Sequence, residues 1–202
     1  MKRTCCALLF VGLLCGCTLA PQPRPSVAVY DFGLQHSPED APRMNARLLV
    51  SDIAAPAWLD SPNINYRLAY ANDARSRAYA NSRWVAAPAA LLSQRLRQCI
   101  SAVNEKGAID NREGAQADYL VRMELQEFSQ VFDSEQASYA LIRLHASLIR
   151  RPEGTLITQQ SFTVKREAPK PNAEGAVKAL TDASDELIDE LLDWLTRNID
   201  KR

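Results

Sequence analysis

The chain has 202 residues, enough for one domain with a sizeable core, and its 47% hydrophobic and 24% charged residues are ordinary for a globular protein. Lysine and arginine number 24 in total, as do aspartate and glutamate, so the formal net charge at pH 7 is zero. Because a nucleic-acid-binding protein needs a basic surface for the phosphates, this balance argues against nucleic acid as a partner.

The first 17 residues match the pattern of a bacterial lipoprotein leader. Two basic residues precede the apolar run CCALLFVGLL, and Leu14-Cys15-Gly16-Cys17 then places an aliphatic residue three positions before a cysteine and a small residue directly before it. This spacing is typical of a lipobox, in which the cysteine thiol takes a diacylglyceryl group, with palmitate among the expected acyl chains. We therefore predict a signal peptide over residues 1–16, cleavage between Gly16 and Cys17, and acylation of Cys17. A soluble secreted protein and an uncleaved anchor remain as alternatives.

Residues 17–26 are predicted to tether a periplasmic domain to a membrane. Prolines occupy every second position from Pro21 to Pro25, and proline favours an extended, semi-rigid chain. Thr18, and not aspartate, follows the predicted lipidated cysteine, which favours the periplasmic face of the outer membrane over the inner membrane. The domain itself is expected to cover residues 27–202.

Alternation of apolar and polar residues predicts the strands of the domain, and spacings of three and four predict its two helices. Pro88 suits the first position of one helix, and Asn172 suits the N-cap of the other. In chain order we expect strands over residues 27–34 and 46–56, a hairpin of two strands over 63–72 and 77–88, and a helix over 88–102. A polar loop over 104–116 follows. Three strands over 118–132, 138–151 and 154–167 then form an antiparallel meander, and a last helix covers 172–202.

This order, without an internal repeat or an interior linker, predicts the fold class. Strands are followed by a helix twice over, which indicates a single α+β domain. We expect a mainly antiparallel sheet packed by two amphipathic helices. Cys99 falls on the apolar face of the first helix and is expected to be a small buried hydrophobic residue.

The sequence contains no pattern that supports catalysis or metal binding. His36 and His145, the two histidines, fall in a predicted loop and on the polar face of a predicted strand. The acidic pairs at 185–186 and 189–190 have the spacing of a solvated helix face. No nucleophile elbow, phosphate-binding loop or zinc motif is present. We therefore predict that the protein is not an enzyme and has no catalytic residue, cofactor or metal site, with a lipid-anchored hydrolase as the alternative.

The stretch from Tyr66 to Leu92 is rich in tyrosine, tryptophan and arginine, the residue types enriched at protein–protein hot spots. Alternatively, its aromatic residues belong to the core and its arginines are solvated. The candidate partner interface on this stretch consists of Arg77, Tyr79, Arg83 and Trp84.

Four motifs of the chain resemble those of a known family. They are Y-D-F-G at 30–33, V-x-D-I-x-A-P-x-W-L-D-S at 50–61, I-x-Y-R-L-x-Y at 64–70 and Y-A-x-S-R-W-x-A-x-P-A-x-L-L at 79–92. Together with the lipobox, they are similar to the auxiliary lipoproteins of bacterial ABC-type transporters.

The resemblance implies a non-enzymatic periplasmic component, tethered to a membrane, whose ATPase lies on another polypeptide. It implies permease, ATPase and MCE-domain partners that move lipids or other apolar molecules across the envelope. A homo-oligomer is also compatible with it. The alternative is an envelope lipoprotein that assembles a secretion or outer-membrane machine.

Overall fold

A computed structural model describes residues 26–34, 43–110, 114–151 and 153–199. The predicted signal peptide, Gly16, Cys17, the proline-rich tether up to residue 25 and His36 lie outside these ranges. The described elements are, in chain order, β1 Ala28–Tyr30, β2 Leu48–Val50, β3 Asn63–Leu68, β4 Asn72–Trp84, α1 Pro88–Val103, β5 Ala108–Asp110, β6 Tyr119–Phe132, β7 Ser138–Arg150, β8 Thr155–Glu167 and α2 Ala173–Ile199.

The long strands β6, β7 and β8 form the antiparallel meander that the sequence predicts. They pair in order along nearly their whole length. The alternating apolar residues of β7 point to one side, where Ile142, Leu144 and Leu148 are buried. A register shift between Leu125 and Glu127 interrupts β6, so the strand bends near its middle.

The other edge of β6 is shared by two shorter strands. β2 pairs in parallel with the beginning of β6, and β3 pairs in parallel with its end. β5 extends the sheet beyond β2 in parallel, β4 extends it beyond β3 in antiparallel, and β1 pairs in parallel with the end of β4.

The expectation of a mainly antiparallel sheet is wrong, because four of the seven strand pairings among the described residues are parallel. Alternation in a sequence predicts that a segment is a strand, but it does not say which distant strand will be its neighbour. β2 and β3 pair with β6 across the intervening helix α1, as parallel strands require a long connection. The α+β class with two helices is confirmed.

The short strands differ from their predicted ranges. The predicted strands over 27–34 and 46–56 are reduced to three residues each, and β5 lies within the segment 104–116 that was predicted as a loop. β5 has only three residues and lies between two glycines, so it has too few alternating residues to be recognised as a strand from the sequence. Its pairing with β2 makes it a strand.

Both helices pack on the same side of the sheet and share one apolar core with it. The first helix begins at Pro88 and buries Cys99 completely, as predicted. The second begins with the predicted cap, since the Asn172 side chain accepts a hydrogen bond of 2.9 Å from the Gly175 amide. None of the described helices is long and apolar enough to cross a membrane.

A buried ion pair joins the two helices and the segment after β1. The Arg95 guanidinium donates from Nε and Nη2 to both oxygens of Asp185, at 2.6 and 3.0 Å, and from Nη1 to the Phe32 carbonyl at 3.0 Å. The Arg95 side chain is 7% exposed and that of Asp185 is 22% exposed. The prediction that residue 185 belongs to a solvated acidic face is therefore wrong.

Candidate partner-binding surface

The hairpin of β3 and β4 forms one end of the sheet. Tyr66 and Tyr79 contact each other on its helix side, with ring centroids 4.8 Å apart, and Tyr66 also meets Phe132 of β6 at 5.9 Å. Register shifts at both ends of the pairing add residues to β4. β4 is therefore longer than β3, and its side chains change faces between Tyr79 and Trp84.

Tyr79 is fixed to the sheet by a chain of hydrogen bonds. Its hydroxyl donates to Gln130 Oε1 at 2.6 Å, and Gln130 Nε2 donates to the Ser138 hydroxyl at 2.8 Å. Burial, followed by the neighbouring Tyr66, raises the pKa of Tyr79 to about 12. Tyr79 is therefore a neutral donor near pH 7, and its main contacts lie within the domain.

Trp84 is a core residue. It is 0% exposed, and its ring meets Phe32 edge-on at 5.4 Å and Phe128 at 6.0 Å. A partner cannot contact this side chain while the domain is folded. The prediction that Trp84 belongs to a partner interface is corrected, and the alternative reading of this aromatic residue as core holds.

Arg77 and Arg83 lie on opposite faces of β4. Arg77 stands across from Tyr66 on the helix side, half-buried, and its Nε has no hydrogen-bond partner among the described residues. Arg83 is exposed and stands across from Val29 of β1. The next pair along, Tyr30 with Trp84, faces the core, so Arg83 points away from it. The four predicted interface residues therefore do not form one surface.

Arg67 has a structural role that the sequence did not indicate. Its Nη2 lies 3.1 Å from Glu127 Oε2, and its guanidinium lies 5.4 Å from the centre of the Trp58 ring. Both side chains of the ion pair are largely buried. No local pattern could reveal this contact, because Glu127 stands at the irregular position of β6, 60 residues further along the chain.

The outer edge of β4 is open over most of its length. β1 pairs with β4 at Ser82–Trp84, and no described strand pairs with the outer edge before that point. An unpaired edge presents a row of free backbone N–H and C=O groups that can pair with an extended segment of another chain. The arginines Arg75 and Arg77 flank this edge.

The described residues contain no group of three or more His, Cys, Asp or Glu side chains that could hold a metal ion. His145 faces away from the core and lies 3.1 Å from the Ser161 hydroxyl. Glu124 of β6 stands across from His145 in the strand register, and no hydrogen bond joins these two side chains among those of the described residues.

The model of the ABC-type transport auxiliary lipoprotein component family matches residues 30–191. The chain belongs to this family. The predicted family is thereby confirmed. An auxiliary lipoprotein component implies a membrane-anchored envelope protein that is associated with an ABC transport system and has a non-catalytic role.

Solved structures share the fold of this family member. Protein XCC0632 from Xanthomonas campestris, described as a DUF330 protein, superposes with a TM-score of 0.75 at 20% identity, covering 85% of this chain and 96% of that one. A second, described as an uncharacterized protein, gives a TM-score of 0.63 at 15% identity over 84% of this chain and 99% of that one. Such identities show similarity of fold alone. Among curated proteins, no sequence matches this chain.

Proposed function

We propose that this protein is a lipid-anchored accessory subunit of an ABC transport system that moves lipids or other apolar molecules across the bacterial envelope. The family match over residues 30–191 is the observation that carries the proposal. In this proposal Cys17 carries the acyl chains and the domain stands at the periplasmic face of the outer membrane. The ATPase, the permease and an MCE-domain subunit are separate polypeptides, and this subunit is not an enzyme.

The open edge of β4 is the surface that we assign to a protein partner. Its free backbone groups suit an extended segment, and the neighbouring Arg77 has a buried Nε that lacks an acceptor among the described residues. Leaving such a donor unpaired is unfavourable, and a hydrogen bond to a carboxylate is stronger than one to a neutral group. An extended segment that carries aspartate or glutamate would therefore pair with the free backbone groups of β4 and would also provide a carboxylate acceptor for Arg77 Nε.

Co-purification tests the proposed function. The acylated protein is crosslinked in intact cells, extracted in detergent and recovered by a C-terminal tag, and its companions are identified by mass spectrometry. We expect MCE-domain, permease and ATPase subunits. Recovery of a secretion ring or of an outer-membrane porin in their place would support the alternative role in assembling such a machine.

The docking surface has its own test. Arg77→Ala is expected to lower the recovery of the partner several-fold, because it removes the cation beside the open edge. Arg122→Ala is the matched control, since Arg122 is an exposed strand arginine on β6, away from this edge. Equal recovery with both variants would contradict the assignment, provided that both unfold at the wild-type urea concentration.

A further inference from the structure

Exposed apolar side chains are concentrated around β1. Among the described residues, seven large hydrophobic side chains are exposed, and four of them lie on β1, within four residues of its ends or on the segment that pairs with it. A single exposed apolar residue is ordinary, but a group of them marks a binding surface. We call these four residues the β1 patch: Val27, Val29, Leu34 and Val85, which are 47%, 51%, 96% and 61% exposed.

The register of β1 and β4 places part of this patch on one face, around a cation. Val29 stands across from Arg83, and Val85 donates its amide to the Tyr30 carbonyl at 2.7 Å, which continues the pairing. Val29 and Val85 also border a groove of about 460 Å³ between β1 and α2, which Val177 lines on the helix side. The surface therefore combines apolar side chains with one exposed arginine.

The patch is also at the edge of the sheet. β1 is the last strand on its side, with β4 on one edge and no described strand on the other. β8 is the last strand on the opposite side. Five strand spacings of about 4.8 Å separate the two edges, so the β8 edge lies on the order of 25 Å from the patch.

The position of the patch along the chain indicates what covers it. Val27 follows the predicted acylation site Cys17 by ten residues, which span at most about 35 Å when fully extended. Acyl chains on Cys17 would hold this edge close to a bilayer, where even a weak apolar contact is favoured by the high local concentration. An arginine beside apolar side chains can reach lipid phosphates while its neighbours enter the interface.

We propose that the β1 patch contacts the membrane that holds the lipid anchor, with Val27, Val29 and Val85 in the interfacial region and Arg83 at the phosphates. The inference rests on the acylation of Cys17 in the proposed function. The membrane contact fixes the orientation of the domain: β1 and the end of β4 that pairs with it face the bilayer, and the β8 edge faces away from it. The open stretch of β4 before Ser82, which we assign to a protein partner, lies farther along the same edge, up to about 33 Å from Ser82. Arg83, predicted to bind a protein, is reassigned to lipid headgroups.

A fluorescent probe at two positions tests this orientation. The full-length acylated protein, with Cys99→Ala to remove the buried thiol, carries Val85→Cys labelled with an NBD fluorophore. It is reconstituted into vesicles of phosphatidylethanolamine and phosphatidylglycerol. We expect emission at shorter wavelength, and several-fold more quenching by doxyl-labelled phospholipid, than for the same label at Leu156→Cys. Leu156 is the matched control, because it is 50% exposed and lies on β8.

A second substitution shows whether the patch itself makes the contact. Adding Val29→Glu to the labelled Val85→Cys protein should abolish the difference from the control, whereas adding Leu156→Glu should leave it unchanged. The proposal is wrong if the two labels are equally aqueous, or if the label at 85 becomes shielded only when partner subunits are added.

The same vesicles separate this proposal from the lipid anchor. Protein that floats with the vesicles while its label at 85 stays aqueous would overturn the membrane contact and leave the anchor standing. Protein that carries no acyl label on Cys17 and does not float would overturn both.

Discussion

The indole of Trp84 shows how far a single residue can be interpreted from its type alone. Tryptophan beside arginine is enriched in interfaces, but this ring packs between Phe32 and Phe128 beneath the helices. The sequence contains a further indication, since Trp84 alternates with the polar Arg83 at the end of a strand. This alternation is hard to interpret from the sequence, because the register shifts of β4 move its later side chains to the opposite face of the strand.

Trp84→Ala is expected to destabilise the domain by about 3–5 kcal/mol, because it leaves a large cavity in a close-packed core. Urea unfolding followed by circular dichroism measures the change. Trp58→Ala is the matched control: Trp58 is 45% exposed, and its loss should cost about 1 kcal/mol or less. A small and equal effect of both substitutions would show that Trp84 does not occupy the core.

Tyr79 predicts a dependence of stability on alkaline pH. Its pKa is raised to about 12 in the folded protein, above the ordinary value near 10. The folded state therefore holds the proton more tightly than the unfolded state, and stability is lost as pH rises from about 10 to 12. Tyr79→Phe should reduce this loss, which is measured as the difference between urea midpoints at pH 8 and pH 11.

The exposed Tyr70 provides the control for this measurement, since it is 48% exposed. Tyr70→Phe should keep the wild-type loss of stability between the two pH values. An identical alkaline loss in the Tyr79→Phe protein would show that the hydroxyl is not held neutral by burial.

At the scale of the elements, local pattern predicts more than pairing does. The meander β6–β7–β8 and both helices follow from alternation and from spacings of three and four, because each buries a face that its own sequence defines. The parallel pairings of β2 and β3 with β6 depend on contacts across more than 60 residues, which alternation does not record. For the same reason the partners of Arg67 and Arg95 could not be predicted.

Asp185 joins two elements, and its removal should show this. Asp185→Ala leaves the buried guanidinium of Arg95 without its carboxylate, which is expected to cost about 3 kcal/mol or more. Asp193→Ala, on the exposed side of the same helix, should change the free energy of unfolding by about 0.5 kcal/mol or less. Equal changes in the free energy of unfolding for the two variants would mean that the ion pair of Asp185 contributes no more to stability than an exposed acid on the same helix.

At the scale of the whole molecule, the proposed acylation of Cys17 would hold the domain at a membrane. Cys15 and Cys17, the two cysteines of the lipobox, are two positions apart but have different expected fates. Cys17→Ser should abolish incorporation of labelled palmitate and leave an unprocessed precursor on a gel, because this thiol is the proposed acyl acceptor. Cys15→Ser should be processed as in the wild type, since that residue is predicted to leave with the signal peptide. Label that persists in the Cys17→Ser protein would place the anchor elsewhere.

The position of β6 in the chain also sets the order in which the domain can fold. β2 and β3 come early in the sequence, yet each needs β6, which begins only at Tyr119, as its neighbour. The first hundred residues emerge from the ribosome before this strand exists, so their apolar faces stay uncovered and the first half cannot close its sheet. Because such distant pairings slow folding, we expect the chain to stay unfolded long enough for the export that the predicted signal peptide would direct. The pairings of β2 and β3 with β6 can form only when the second half of the chain is present.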